Sequence, residues 1–264
     1  MKNRILSAIV LLAIALPCIL LSEGSRILLI AAAGLLCVRE YCHCIRDKCA
    51  VHCAVLLLYL YVTAEACLCL MHAELSAHLI SLVACIYLTM LSGVVDKNIS
   101  GYGAAYTLAG LAYPFLLFST VMLIASCDIW LETFMLACLS TWMCDSFALF
   151  GGMLFGRHKI APLASPNKTV EGCICGALFA VITGFLLHFH PVFTGISLSI
   201  CVLTAFLAST AGQIGDLTES LVKRMFGIKD FSNMIPGHGG MLDRADSLLF
   251  SIPVTWLCLH IAGM

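Results

Sequence analysis

Along its whole length the chain alternates long apolar runs with short polar breaks. Apolar residues dominate 5–21, 23–38, 51–70, 75–95, 102–125, 130–152, 172–189, 194–215 and 243–261. A helix that crosses a bilayer needs about 20 mostly apolar residues, within a range near 17–25. The runs therefore predict nine membrane-spanning helices. The second has the shortest uninterrupted stretch, from Ile27 to Val38. Pro17, Pro114, Gly176 and Gly184 fall inside runs, which membrane helices tolerate. The first run follows a basic start, as in a signal peptide. No small-x-small cleavage site follows it, and more spans come after, so it reads as a first transmembrane helix.

Composition removes the other classes. Of 264 residues, 61% are apolar and 11% charged, against about 25% charged in soluble domains. There is too little polar surface to cover a water-soluble globule and too much hydrophobicity for disorder. A net charge of −1 gives no surface for nucleic acid. On the nine-span map, every Lys and Arg except Arg26 falls on one side of the membrane. The positive-inside rule makes that side cytoplasmic, with the N-terminus inside and the C-terminus outside. The 16 cysteines mostly lie within apolar runs, where free cysteine packs as a small hydrophobe. One denser group is Cys42, His43, Cys44, Cys49, His52 and Cys53. Cys49, His52 and Cys53, at i, i+3, i+4, would share a helix face and could bind a metal. The competing reading is a Cys-rich membrane boundary.

Two cytoplasmic segments, 156–172 and 216–246, are far more polar than the rest. Asp145, Asp216 and Asp243 lie at their membrane-facing ends, with Asp246 one turn beyond Asp243. Acidic side chains in a span are costly and usually face a partner, a cation or water. Carboxylates hold hard divalent cations, while basic side chains and Gly-rich backbone hold phosphates. Here both occur together, the basic groups being Arg157, Lys168, Lys223, Arg224 and Lys229. A cation bridging Asp216 and Asp243 would staple the ends of the last two spans. The stretch 216–226 is amphipathic and reads as a helix lying along the membrane interface. Each feature also has a structural reading: the acids as ion pairs, Lys223-Arg224 as a topological anchor, His238 as a turn residue. The residues alone thus reach a membrane enzyme or transporter that handles phosphate with a cation.

The segment from Ser220 to Asp246 carries a denser pattern. Ser220, Lys223-Arg224, Lys229-Asp230, His238-Gly239-Gly240 and Asp243-Arg244-x-Asp246 stand at fixed spacing. This resembles the signature of phosphatidate cytidylyltransferases, the CDP-diacylglycerol synthases. Upstream, Trp142, Asp145-Ser146-x-Ala148, Gly156, Ser165-Pro166-x-Lys168-Thr169-x-Glu171-Gly172 and Gly215-Asp216-Leu217 are also similar to the family. The motifs cover roughly the C-terminal half; the N-terminal half matches only as hydrophobic spans. Ala245 stands where the family usually has a larger apolar residue or Thr. Leu149 and Met153 stand where relatives often carry Tyr and Arg.

The resemblance implies one all-α membrane domain over 1–264, with N-terminal helices in 1–125 and a catalytic half in 126–264. It implies CTP and phosphatidate as substrates and CDP-diacylglycerol and pyrophosphate as products. It assigns Asp216 and Asp243 to a divalent cation, Mg²⁺, with Asp145 and Asp246 in support. Lys223, Arg224 and His238 would hold phosphate oxygens. Ser165, Lys168, Thr169, Glu171, Gly239 and Gly240 would contact the nucleotide. No general base is required, because phosphatidate already presents an anionic oxygen. The size of the chain and the lack of an organelle-targeting extension point to a bacterial cytoplasmic membrane, the basic loops put the site on the cytoplasmic face, and the resemblance implies a homodimer. Two other readings stand beside it: a CTP-dependent polyprenol or lipid kinase, and a cation-coupled transporter.

Overall fold

A computed structural model of the protein describes residues 2–235 and 239–264, the side chains of 2–9, 11 and 12 excepted. The helices are α1 (Lys2–Leu21), α2 (Glu23–Cys49), α3 (Val55–Leu70), α4 (Leu75–Val95), α5 (Gly101–Gly110), α6 (Leu116–Ala125), α7 (Trp130–Phe155), α8 (Val170–His188), α9 (Leu198–Met225) and α10 (Leu242–Ile261). Each predicted run lies on a helix, the fifth on the pair α5 and α6. These two are joined by a π-helical turn, Leu111–Phe115, around Pro114, which has no N–H to continue an α-helical ladder. The strands β1 (Lys159–Ala161) and β2 (Ser165–Thr169) form an antiparallel hairpin between α7 and α8.

Among the described residues, six helical stretches are long and apolar enough to cross a membrane: α2, α4, α5 with α6, α7, α8 and α9. At 16 residues α3 is shorter, and α10 opens with Asp243, Arg244 and Asp246. On α4 the large apolar side chains Leu79, Ile80, Val83 and Leu88 are exposed. Water would penalise that surface and lipid would not. The chain is thus built as a multi-pass membrane protein.

Two compact units divide the chain. The first holds residues 1–126 and 226–244. Its core is made by Ile27, Val38 and Ile45 of α2, Leu58 of α3, Phe115 and Met122. Ser22 caps α2, and Ser25 returns the bond in a capping box. A buried pair, Glu65 on α3 and His78 on α4, joins those helices at 2.7 Å. The second unit holds residues 127–225 and 245–264. There α7 and α8 pack closest: Phe147 and Phe179 stack at 3.4 Å. A Cβ on Gly176 would lie 2.5 Å from the Cys144 carbonyl oxygen, so only glycine permits this approach. Leu136, Leu187, Phe193, Cys201, Ala205 and Leu259 close the core of this unit.

Three local expectations are corrected. First, α2 does not stop at Val38 but continues to Cys49. It ends there because Ala50 turns left-handed, with φ 54°. His52 and Cys53 lie beyond that turn, so they share no helix face with Cys49. Among the described residues no group of three or more His, Cys, Asp or Glu is arranged to hold a metal. Second, 216–226 is no separate interface helix. Residues 216–225 continue α9, which at 28 residues is about 42 Å long. The helix can pack inward because its charges find partners: Lys223 Nζ donates to Glu219 Oε2 at 2.6 Å within the helix, and Asp216 and Arg224 meet the hairpin. Third, the polar loop 156–172 is ordered as the hairpin and the first turn of α8.

Candidate active site

Within the second unit a cavity of about 570 Å³ opens between α7, β2, α8 and α9. One face of α7 supplies Asp145, Leu149, Gly152 and Met153, spaced so that a helix presents them together. From β2 come Asn167, Lys168 and Thr169, and from α9 come Gln213 and Asp216, one turn apart. Thr169 also caps α8, its hydroxyl accepting the Gly172 amide at 3.2 Å. Such caps stabilise a helix start by about 1 kcal/mol, and this one locks the end of the strand that carries Lys168.

Charge is concentrated on one wall of this cavity. Lys168 Nζ donates to Asp216 Oδ2, and Ser220 Oγ donates to Asp216 Oδ1 at 3.4 Å. Asp145 lies within electrostatic reach of Asp216, Lys168 and Asp246. Asp246 in turn lies within electrostatic reach of Asp216, Glu219 and Lys223. Glu219 is fully buried and Lys223 is 9% exposed. The unit therefore gathers Asp145, Asp216, Asp246 and Glu219 around Lys168 and Lys223. Two of these acids, Asp216 and Glu219, already accept from Lys168 and Lys223, and no three of the described His, Cys, Asp or Glu are arranged to hold a metal. Gln213 closes the back wall, its amide donating to Cys144 Sγ at 2.9 Å and to the Cys173 carbonyl at 3.3 Å.

Two other predicted residues of this unit are engaged by the hairpin. Glu171 accepts the backbone amides of Arg157 at 3.0 Å and His158 at 3.2 Å, and its Oε1 lies 2.5 Å from the His158 ring Nδ1. An acid in the first turn of a helix also suits the helix dipole. Arg224 Nε donates to the Ala164 carbonyl at 3.3 Å, at the hairpin turn. Ser165 opens β2 opposite Ala161.

The remaining predicted residues belong to the first unit. Asp243 is 6% exposed. Its Oδ2 accepts the backbone amides of Gly240 at 2.8 Å and Phe231 at 3.0 Å. Gly239 stands at φ +81°, left-handed backbone that favours glycine. His238 lies outside the described residues.

Sequence reasoning passed over Asn167, Gln213 and Glu219. Glu219 carried a usable signal: it stands four residues before Lys223, the spacing of a helical ion pair. Gln213 carried one too, a helical turn before Asp216. Asn167, between Pro166 and Lys168, had none.

A family model for the cytidylyltransferase family matches residues 2–262. The chain is 34% identical over 260 residues to a phosphatidate cytidylyltransferase of Staphylococcus haemolyticus, a match spanning 96% of this chain and 97% of that one. It is 37% identical over 175 residues to one from Staphylococcus saprophyticus, 66% of each chain. A third, from Thermotoga maritima, is 44% identical over 126 residues, 46% of this chain and 47% of its own. With the family model spanning nearly every residue, and a relative matched end to end, the chain belongs to the cytidylyltransferase family.

Proposed function

We propose that the chain is a nucleotidyltransferase that moves the cytidylyl group of CTP onto phosphatidate, giving CDP-diacylglycerol and pyrophosphate. The observation that carries this is the end-to-end similarity to phosphatidate cytidylyltransferase. The cavity chemistry supports it. Both substrates are anions, so the site must offset charge while aligning the attacking oxygen, phosphorus and leaving group. A phosphatidate oxygen forms the new bond to the α-phosphorus, and the bond to the pyrophosphate oxygen breaks. Lys168, at the mouth of β2, serves the nucleotide phosphates, with Ser165, Gly239 and Gly240 as further contacts. Lys223, Arg224 and His238 serve the phosphates of the reacting pair. Thr169 and Glu171 hold the hairpin that carries Lys168.

The donor set fits Mg²⁺. This hard ion takes oxygen ligands, usually one or two carboxylates with substrate phosphates completing its shell. Asp145 and Asp216, both lining the cavity, would hold it, with Asp246 behind them and Asp243 as the acid of the signature loop. When bound, the ion offsets charge on the phosphate oxygens.

The chain in this reading forms one membrane domain over 1–264 with nine spans, in a bacterial cytoplasmic membrane. Its N-terminus and site face the cytoplasm, the side on which the basic residues gather. It works as a homodimer. Purified protein given α-³²P-labelled CTP, phosphatidate and Mg²⁺ tests the reaction. Label is expected in the lipid fraction, with one pyrophosphate released per labelled lipid. Label left in CDP beside a phosphorylated lipid would mean a kinase and overturn the proposal.

A further inference from the structure

In the first unit, one carboxylate that the motif pattern does not include stands behind the signature loop. Glu40, on α2, is 3% exposed. Its Oε1 accepts the Ser232 hydroxyl at 2.6 Å and the Met241 amide at 2.9 Å, and its Oε2 accepts the Leu242 amide at 3.0 Å. Met241 and Leu242 stand at the start of α10, where backbone N–H groups have no helical partner. A buried carboxylate with these three donors is both satisfied and held in place. The fit is tight: a Cβ on Gly240 would lie 2.7 Å from Glu40 Oε2 and 2.8 Å from Oε1. Gly240 is also one of the two amides that hold Asp243 Oδ2. Glu40 and Asp243 thus grip the same backbone from two sides. Glu40 fixes 232 and 241–242, and Asp243 fixes 231 and 240.

We propose that Glu40 is a positioning residue for the reaction, setting the backbone from which the Asp243 carboxylate is presented. The proposal rests on the reading that Asp243 serves the reaction. A carboxylate suits the task better than an amide. All three partners are donors, and an amide would turn its own N–H₂ toward one or more of them. Supporting groups of this kind typically change activity or metal affinity by about 10–100-fold when replaced.

The test compares Glu40→Gln, Ser232→Ala and Asp243→Asn with the unaltered protein, each purified in detergent at matched folded amount. The readouts are kcat, KM for CTP, the Mg²⁺ concentration giving half-maximal rate, and the thermal midpoint. Glu40→Gln is expected to lower kcat about 10–100-fold and to raise the Mg²⁺ requirement. KM for CTP should stay close to that of the unaltered protein, and the thermal midpoint should fall by a few degrees, because the amide N–H₂ faces a donor in a buried place. Ser232→Ala, which leaves the carboxylate and removes one donor, should move the same two quantities by a few-fold. It carries the test alone if Glu40→Gln does not accumulate. Unchanged kcat and Mg²⁺ dependence in Glu40→Gln, with Asp243→Asn inactive, would sink the positioning role and leave the reading of Asp243 standing. So would a loss that only tracks the folded fraction. Full activity in Asp243→Asn would remove the reading itself, and the proposal with it.

Discussion

At the scale of single residues, the cavity is defined by a lysine held against a carboxylate. Lys168 and Asp216 pair across the space between β2 and α9, so each satisfies the other's charge. Removing the cation leaves Asp145, Asp216 and Asp246 repelling one another with less to offset them. Lys168→Met is therefore expected to lower kcat/KM for CTP at least 100-fold, about 3 kcal/mol of transition-state stabilisation. The loss should exceed that of Arg224→Met, because Arg224 Nε is engaged by the hairpin turn. Steady-state kinetics on the two variants at saturating Mg²⁺ checks the order. Much at this scale was legible in the sequence. Asp145, Lys168 and Asp216 were singled out from their type and place, and all three line one cavity. Glu40 was not. It sits in a helix that the hydrophobic pattern ended at Val38, and its partners are about 200 residues away, where spacing carries no information.

At the scale of elements, the apolar runs foretold where helices lie but not how they continue. Hydrophobicity falls at Arg39 and again at Asp216, and in each case the helix runs on, because its polar side chains find partners. Glu40 meets the amides of 241 and 242, and Glu219 meets Lys223. Tertiary pairing overrides the pattern at these places. The hairpin of 159–169 was read as a loop, since its strands are too short to show a two-residue period. What positions that hairpin is the seam between α7 and α8. Gly176→Leu would push side-chain atoms into the Cys144 carbonyl, 2.5 Å from the first added carbon. Overpacking of this kind costs about 1–3 kcal/mol or more. The expected outcome is a clear fall in thermal midpoint in detergent and loss of activity, measured beside Gly195→Ala. Gly195 has φ +95° but nothing within 4 Å of its added carbon, so that variant reports backbone strain without a clash.

At the scale of the whole molecule, the division of charge makes a topological prediction. On the proposed nine-span reading every basic residue but Arg26 falls on one side, and the C-terminus would lie outside the cytoplasm. A periplasmically active phosphatase fused after Met264 should be active, and a green fluorescent protein fused there should stay dark. The reverse pattern would require an even number of crossings and would reassign at least one of α1, α3 and α10. The composition that announced a membrane protein did not foretell two compact units, because the chain crosses between them at Ser126, Met225 and Arg244. Two of those crossings lie within the polar segment 216–246, which the sequence pattern read as a loop and not as a boundary.

The length of α9 has a consequence for the setting in which the protein works. From Leu198 to Asp216 the helix rises about 27 Å, close to the roughly 30 Å of a bilayer's hydrocarbon layer. Asp216 therefore stands near one full hydrocarbon thickness from the start of its helix, and Glu219 and Lys223 stand beyond it. In a thinner bilayer Asp216 stands further into the aqueous layer than the phosphates of the lipid leaflet. In a thicker one it is drawn beneath them, where an unmatched carboxylate is costly. On the proposed reading, with α9 upright in the membrane, the thickness of the lipid would set the height of Asp216 against the lipid phosphates.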